Sequence, residues 1–378
     1  MKRLYLGALL LAAMATAAWA GGYSDFNAGL AARSRGDAAG AIRLFGSALD
    51  APDLAKPLRA MAYFNRAELY IWNRQNDLAL ADLNACLTIT PAYTPALEAR
   101  GYVHQRRKEF DLAQNDFDAF VAIRPDSMEA PADLVSLNIA QKNYEAALKL
   151  SNDAIDKWSH SGLPYLMRAD TYHAMRQHDA AMNDYDTAVS KSDGSAGALV
   201  SRAKAYEEDG NLEKALSDLE SAGDESTGTS DIHDEVGFLQ WDLGRFEDSE
   251  KTFRTVISVG STWSYAFLWL YLSEAKANPG KEIAFADDAK LNEARWPFAL
   301  VKLFSGKGTV EDALKDAATG DTAAQTDKLC EANFYAGEWQ VLHNNQPAGS
   351  KMLNAAVQSC PKDFIEKTAA IAELARLK

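Results

Sequence analysis

Three groups of residues in this sequence carry side chains that could do chemistry. His173 and His178 are five positions apart, Gly306-Lys307-Gly308-Thr309 is similar to the end of a phosphate-binding loop, and adjacent acids such as Asp287-Asp288 could act as acid and base. No cysteine accompanies the histidines at metal-site spacing, and Val301 stands where the loop needs its first glycine. Paired acids are common in acidic helical proteins. We therefore expect no enzymatic activity, cofactor or metal site, the alternative being a hydrolase within residues 263–325.

The composition is that of a folded, helical and acidic chain. Of 378 residues, 47% are hydrophobic, which excludes a disordered protein. The 53 acidic and 39 basic residues give a net charge of −14, which disfavours a nucleic-acid partner. With 23 Gly and 11 Pro a turn-rich β-sandwich is disfavoured, and three cysteines exclude a disulfide-dense scaffold.

The first twenty residues have the pattern of a secretory signal peptide. Lys2 and Arg3 precede an apolar run over 4–18, and Ala18-Trp19-Ala20 offers small residues to a signal peptidase. The run is shorter than the roughly 20 residues that span a bilayer, which disfavours the alternative of a membrane anchor. No cysteine follows for lipidation, so we expect a soluble periplasmic or secreted protein that begins near Gly21, without a membrane span.

The dominant feature of the remaining sequence is a period of 34 residues. Small residues recur at this spacing in register, and bulky residues recur in a second column. Compact side chains let two short antiparallel helices approach closely, and bulky ones fill the remaining space. The small column holds Ala67, Gly101, Val135, Ala169, Ala203 and Gly237, and the bulky column holds Leu83, Phe117, Tyr185, Leu219 and Phe253, with Ser151 between Phe117 and Tyr185. The pattern predicts stacked helical hairpins.

Two further columns change together. Arginine stands at one position in four units, and aspartate stands at a second-helix position in the same four units. The unit that lacks the arginine has Leu134 and Leu150 instead. The arginines are Arg66, Arg100, Arg168 and Arg202, and the aspartates are Asp82, Asp116, Asp184 and Asp218. We predict a structural Arg–Asp ion pair for each of these hairpins, either within a unit or to its neighbour.

These columns resemble the tetratricopeptide repeat (TPR). Its pattern of Gly/Ala, Tyr, Ala, Phe, Ala and Pro is matched in turn by Gly101, Tyr172, Ala113, Phe117, Ala188 and Pro125. The position that is often Trp in the family is Leu97 here, and the terminal proline is missing from most units. The resemblance implies an all-α solenoid of helical hairpins, a right-handed superhelix, with about seven TPR units over residues 21–262.

The C-terminal third departs from this register. We predict an irregular helical segment over 263–325, with helices at 264–276, 281–290, 295–304 and 310–318. Residues 326–378 return to the repeat pattern as a hairpin followed by a capping helix. Cys330 begins the first helix of this hairpin and Cys360 ends the second, which brings both to one edge. A disulfide and two free buried thiols are both compatible with that placement.

Short motifs in this third resemble the NlpI family of bacterial envelope lipoproteins. They are residues 267–274 (FLWLYLSE), 331–335 (EANFY), 363–366 (DFIE) and 372–377 (AELARL). Members of that family are dimeric TPR adaptors that bring cell-wall endopeptidases to a periplasmic protease. The resemblance implies a homodimer and a role in cell-envelope maintenance, although this sequence lacks the acylated cysteine and has more repeats ahead of the shared part.

The first helices of stacked hairpins line a concave groove, so their phase predicts the residues that face a partner. The candidates mix aromatic and acidic side chains and lack the paired cations that would hold a peptide carboxylate. They are Phe64, Glu68, Glu98, Tyr102, Gln105, Leu166, Asp170, His173, Lys204, Phe238 and Trp241. We predict that they bind a protein or peptide segment with apolar anchors and Lys or Arg, the alternative being ordinary solvated helix faces.

The sequence therefore predicts a non-enzymatic periplasmic scaffold or adaptor that binds protein partners through its groove. The NlpI resemblance implies recruitment of cell-wall hydrolases or proteases. The alternative is a regulatory or receptor subunit of a secretion or polysaccharide-export complex, where similar repeats occur.

Overall fold

The structure is a computed structural model that describes residues 21–192, 194–225, 230–258, 264–285, 296–362 and 364–378. The predicted signal peptide, residues 1–20, lies outside the described residues. Within the described ranges the chain forms twenty α-helices and no β-strand, so the predicted all-α class is confirmed. None of these helices is both long and apolar enough to cross a bilayer.

The chain divides into two compact units, residues 1–188 and 189–378. Unit 1 is built from consecutive helical hairpins. Its helices are α1 (Gly21–Ser34), α2 (Ala38–Asp50), α3 (Lys56–Trp72), α4 (Asn76–Ile89), α5 (Thr94–Arg106), α6 (Phe110–Ile123), α7 (Glu129–Ala140), α8 (Tyr144–Lys157), α9 (Leu163–Ala174) and α10 (His178–Lys191), the last of which contains the division. Odd-numbered helices are the first helices of the hairpins, and even-numbered helices are the second helices.

Unit 2 contains two more hairpins and a less regular region. Its helices are α11 (Ala196–Glu208), α12 (Leu212–Glu225), α13 (Ser230–Asp242), α14 (Phe246–Ser258), α15 (Ser264–Ala277), α16 (Phe298–Phe304), α17 (Val310–Ala317), α18 (Thr322–Leu342), α19 (Gln346–Ser359) and α20 (Ile365–Arg376). Helices α18 and α19 form the hairpin predicted near the C-terminus. The predicted domain boundaries at residues 262 and 325 stay predictions.

In most hairpins a small residue of the first helix packs against a bulky residue 16 positions later, the exception being Val135 and Ser151. A Cβ atom added to Gly101 would overlap the ring of Phe117, and one added to Gly237 would lie 2.7 Å from Phe253 Cζ. Where the first position is Ala67, the buried partner is the smaller Leu83. In these three hairpins the sizes of the two side chains compensate one another, because close packing leaves little room for two large side chains.

The predicted Arg–Asp ion pairs are present in all four hairpins, and each lies within its own hairpin. Arg66 Nε and Nη2 donate to Asp82 Oδ2 and Oδ1 at 2.7 and 2.8 Å. The other three pairs have the same two-pronged geometry. Arg100 Nη1 also donates to Asn84 Oδ1 of the preceding hairpin at 2.6 Å, so this pair ties neighbouring hairpins together.

The turns inside the hairpins share one left-handed residue. In the second to fifth hairpins of unit 1 it is Arg74, Lys108, Lys142 or Arg176, each with φ near +60°, and in the first two hairpins of unit 2 it is Gly210 or Gly244. These positions are again 34 residues apart. A left-handed residue is the usual way to end a helix, and glycine adopts it without steric cost.

The core of unit 2 is aromatic. Trp241, Phe253, Trp269, Phe334 and Tyr335 are all fully buried in one cluster, and Trp269 lies 5.3 Å from Phe334 between ring centroids. The aromatic helix predicted at 264–276 is therefore a core helix, α15. The disulfide that the sequence left open is present, with the Sγ atoms of Cys330 and Cys360 2.08 Å apart.

One predicted helix, 281–290, is wrong over its described part. Residues 281–285 are not helical. Gly280 has a φ of +82°, which turns the chain after α15, and the following segment packs Phe285 against Tyr271 at 5.9 Å between ring centroids. Residues 286–290 lie outside the described residues. The helix predicted from 295 begins instead at Phe298, after Pro297.

Candidate binding surface

Neighbouring first helices of unit 1 meet through side chains 31 positions apart. Tyr102 Oη donates to Asp133 Oδ1 at 2.5 Å, and Gln105 Nε2 donates to Ser136 Oγ at 3.2 Å. Both bonds join α5 to α7. We call the surface that these helices form with α3 the first-helix face. It consists of Met61, Asn65, Glu68 and Trp72 on α3, Glu98, Tyr102 and Gln105 on α5, and Glu129, Asp133 and Ser136 on α7, which share one side of each helix by their spacing.

Three large hydrophobic side chains on the first-helix face are exposed to solvent. Trp72 is 73% exposed, Tyr102 40% and Met61 39%. Large aromatic side chains gain the most from burial when a partner covers them. The face therefore offers apolar anchor points on two adjacent helices.

Acidic side chains lie beside Tyr102 on this face. Burial raises the pKa of Asp133 to about 7, and the nearby carboxylates of Glu98 and Glu129 raise it further against the opposing hydrogen bond from Tyr102. Burial also raises the pKa of Glu98, with added repulsion from Glu129 and Glu68. Carboxylates whose charge raises the pKa of a neighbouring carboxyl form a region of negative potential.

A basic side chain, Arg33, partly neutralises the negative potential at α3. Arg33, at the end of α1, donates from Nη1 to Glu68 Oε2 at 2.7 Å and to Asn65 Oδ1 at 2.6 Å. Glu129 is bound by the Ser127 hydroxyl and lies near Arg124, and its pKa is lowered chiefly by that hydrogen bond. The carboxyl groups of this face that have no basic partner among the described residues are thus Glu98 on α5 and Asp133 on α7.

The other candidates in unit 1 are more enclosed. Phe64 is half-buried against Tyr93, with ring centroids 5.2 Å apart. On α9, Leu166, Asp170 and His173 are also half-buried. Asp170 accepts a hydrogen bond from Tyr185 Oη at 2.8 Å, and His173 packs edge-on against His178 at 6.2 Å between ring centroids.

In unit 2 the prediction is wrong for Trp241. Lys204 is exposed on α11, but Trp241 is fully buried and Phe238 is half-buried against Trp269 at 5.0 Å. Helical phase places both on the side of α13 that corresponds to the first-helix face. In unit 2, however, α15, α18 and α20 contribute side chains that cover this side, so it belongs to the core.

Sequence reasoning missed Asp133, Ser136, Met61 and Trp72. The 31-residue spacing between neighbouring first helices would have identified the first two as partners of Tyr102 and Gln105. Among the described residues, no group of three or more His, Cys, Asp or Glu is arranged to hold a metal ion. The face presents apolar surface, hydrogen-bond acceptors and negative charge.

Helical hairpins with compensating small and bulky columns define a class of helical-repeat proteins. Within this chain, residues 26–94 and 166–228 match the sequence model of the tetratricopeptide repeat, the family that the columns resemble. A solved TPR protein from Parabacteroides merdae is 25% identical, with 56% of this chain and 81% of that chain covered and a TM-score of 0.48. A thermophilic TPR protein from Thermus thermophilus is 18% identical over 46% of this chain and 94% of that chain, with a TM-score of 0.39.

Proposed function

We propose that this protein is a non-enzymatic scaffold that binds a polypeptide partner through the first-helix face of unit 1. The observation that carries the proposal is the exposure of Trp72, Tyr102 and Met61 within an acidic surface. Their burial by a partner supplies most of the affinity, because large exposed apolar side chains gain the most when they are removed from water. The acids steer a basic segment toward the face and set its orientation.

The partner is an extended or helical segment that carries apolar anchors and Lys or Arg. Adjacent first helices present their anchors side by side, so one segment crossing α3 and α5 reaches Trp72 and Tyr102 together. Glu68 is shared between Arg33 and this segment, whereas Glu98 is free to meet a cation.

We further propose that the chain works in a bacterial periplasm, in cell-envelope maintenance of the kind the NlpI resemblance implies. The signal-peptide pattern of residues 1–20 supports export. The Cys330–Cys360 disulfide also supports an oxidising compartment, because such bonds persist there. Sequencing the N-terminus of protein released by osmotic shock tests this, and a chain that stays in the cytoplasm contradicts it. Light scattering of the purified protein tests the implied homodimer.

The binding proposal is tested by removing the exposed aromatics. Trp72→Ala with Tyr102→Ala is compared with Leu78→Ala with Leu112→Ala, which removes two exposed side chains from the second helices α4 and α6. Partners from a periplasmic extract are quantified by mass spectrometry on immobilised protein. We expect the first variant to lose partners that the control retains. Equal partner sets on both variants would refute binding through this face.

A further inference from the structure

Two buried polar atoms near Tyr102 lack hydrogen-bond partners among the described residues, and both are acceptors when Asp133 is ionised. Asp133 is only 2% exposed, and its Oδ2 atom has no hydrogen-bond partner among the described residues. Gln105 Oε1 is likewise buried without a donor in the described part of the chain. Buried acceptors without donors leave negative partial charge beneath Tyr102, which favours a ligand that carries positive charge or N–H groups at the surface above them.

The hydrogen bond from Tyr102 to Asp133 leaves only electron-rich parts of the phenol available to a ligand. The phenol donates its proton to Asp133 Oδ1, which leaves the lone pairs of its oxygen and the face of its ring as acceptors. Glu98 lies four residues before Tyr102 on α5, and therefore next to it on the same side of the helix. Carboxylate, phenol and ring together match the donors of a guanidinium or an ammonium group.

We propose that Glu98 and Tyr102 form a subsite for one Lys or Arg side chain of the partner, with Asp133 as the positioning residue that holds the Tyr102 hydroxyl. This inference rests on the proposed function, since the cation arrives on the segment that Trp72 and Met61 anchor. An acidic segment is repelled by Glu98, Glu129 and Asp133, and it finds no free donor at Tyr102.

The test selects ligands without assuming a partner. Random twelve-residue peptides displayed on phage are selected against the full mature chain, and against a Glu98→Gln, Asp133→Asn variant whose circular dichroism and melting match the wild type. We expect wild-type selections to place Lys or Arg at a fixed distance from an aromatic or aliphatic residue. Selections against the variant should lose that preference. Asp153→Asn with Asp156→Asn, which removes two exposed acids of α8 and therefore changes the charge by the same two units, is the control.

The selected peptide is then synthesised with Arg or with citrulline, which has the same shape without the charge. We expect the wild type to bind the Arg peptide about tenfold more tightly, as a hydrogen-bonded charge requires. Glu98→Gln and Asp133→Asn should each reduce this ratio while retaining affinity for the citrulline peptide. A merely structural role of Asp133 would weaken both peptides equally.

The outcomes separate the two proposals. If no selected peptide binds the wild type more tightly than it binds the Trp72→Ala variant, the proposed function fails. If peptides bind through Trp72 but show no preference for Arg over citrulline, only the cation subsite is refuted. Displacement of the Arg peptide by Ca²⁺ alone, at concentrations where Na⁺ of equal ionic strength has no effect, would refute it in favour of a metal site.

Discussion

The same repeat positions have opposite environments in the two units. Tyr102 on α5 and Phe238 on α13 are four periods apart, as are Gln105 and Trp241. Tyr102 is exposed, whereas Phe238 is half-buried and Trp241 fully buried. The repeat therefore fixes which side of a helix a residue occupies, and the elements packed beside that side determine whether it binds a partner or stabilises the fold.

In unit 2 the chain supplies its own cover for this side. The Trp241 ring lies 5.4 Å from Trp269 and 6.0 Å from Phe334, between centroids. The Arg376 guanidinium of α20 lies 4.5 Å from the Trp241 centroid, and its Nη1 donates to the Asp242 carbonyl at 3.1 Å. In unit 2 a helix that ends in Arg376 thus covers the aromatic side of α13. We propose the same kind of contact between a partner segment and the first-helix face of unit 1.

The largest expected effect tests this contrast directly. Trp241→Ala should lower the free energy of unfolding by about 3–5 kcal/mol, because it leaves a cavity in the aromatic core. Gln105→Ala, at the same repeat position in unit 1, should lower it by about 1 kcal/mol or less, because it removes one long hydrogen bond and leaves no large cavity. Urea denaturation of both variants measures the difference. Similar losses in the two variants would show that their environments are equivalent.

The ion pairs give the next largest effect. Arg100→Ala should destabilise the protein by about 3 kcal/mol, because Asp116 is then left buried without its partner. Arg100→Leu with Asp116→Leu should cost much less, since Leu134 and Leu150 replace such a pair in the next hairpin and pack in one cluster. Urea denaturation of Arg100→Leu, Asp116→Leu and the double variant forms a double-mutant cycle, which measures the coupling energy between the two side chains. A coupling energy near zero would contradict a structural role for the pair.

The buried acids of unit 2 predict a pH dependence. Burial, and then repulsion from Glu331, raises the pKa of Glu366 to about 8 from its model-peptide value of 4.5. Above pH 4.5 the Glu366 carboxyl ionises in the unfolded chain, whereas in the folded protein it stays protonated until about pH 8. The free energy of unfolding is therefore highest below pH 4.5 and falls as the pH rises toward 8. Glu366→Gln should therefore match the wild type at pH 5 and be about 2 kcal/mol more stable at pH 7. A variant with an unchanged slope between these pH values would contradict the assignment.

The smallest expected effect concerns the size compensation within a hairpin. Gly101→Ala should cost about 1–2 kcal/mol, because the new methyl group overlaps Phe117. Adding Phe117→Leu should restore part of the loss, since Ala67 and Leu83 form this combination in the preceding hairpin. Thermal denaturation of the single and double variants checks it, and a double variant less stable than the sum of the two single changes would refute the compensation.

Local repetition made much of the fold predictable. The hairpins, the ion pairs between Arg and Asp and the ends of α4 and α6 before Pro91 and Pro125 all follow from contacts within about one repeat. Trp241 could not be placed in this way, because part of its cover comes from Arg376, 135 residues later. The bond between Tyr102 and Asp133 was within reach of the sequence, since its 31-residue separation follows from the period and the stagger of neighbouring first helices.

Hydroxyl-radical footprinting of the full chain, alone and with a bound partner segment, measures whether the first-helix face of unit 1 is exposed and binds the partner while the corresponding side of α13 is buried. We predict that Trp72 and Tyr102 are oxidised rapidly in the free protein, that Trp241 is not, and that the partner protects Trp72 and Tyr102. Rapid oxidation of Trp241 in the folded protein, or protection confined to unit 2, would contradict the account.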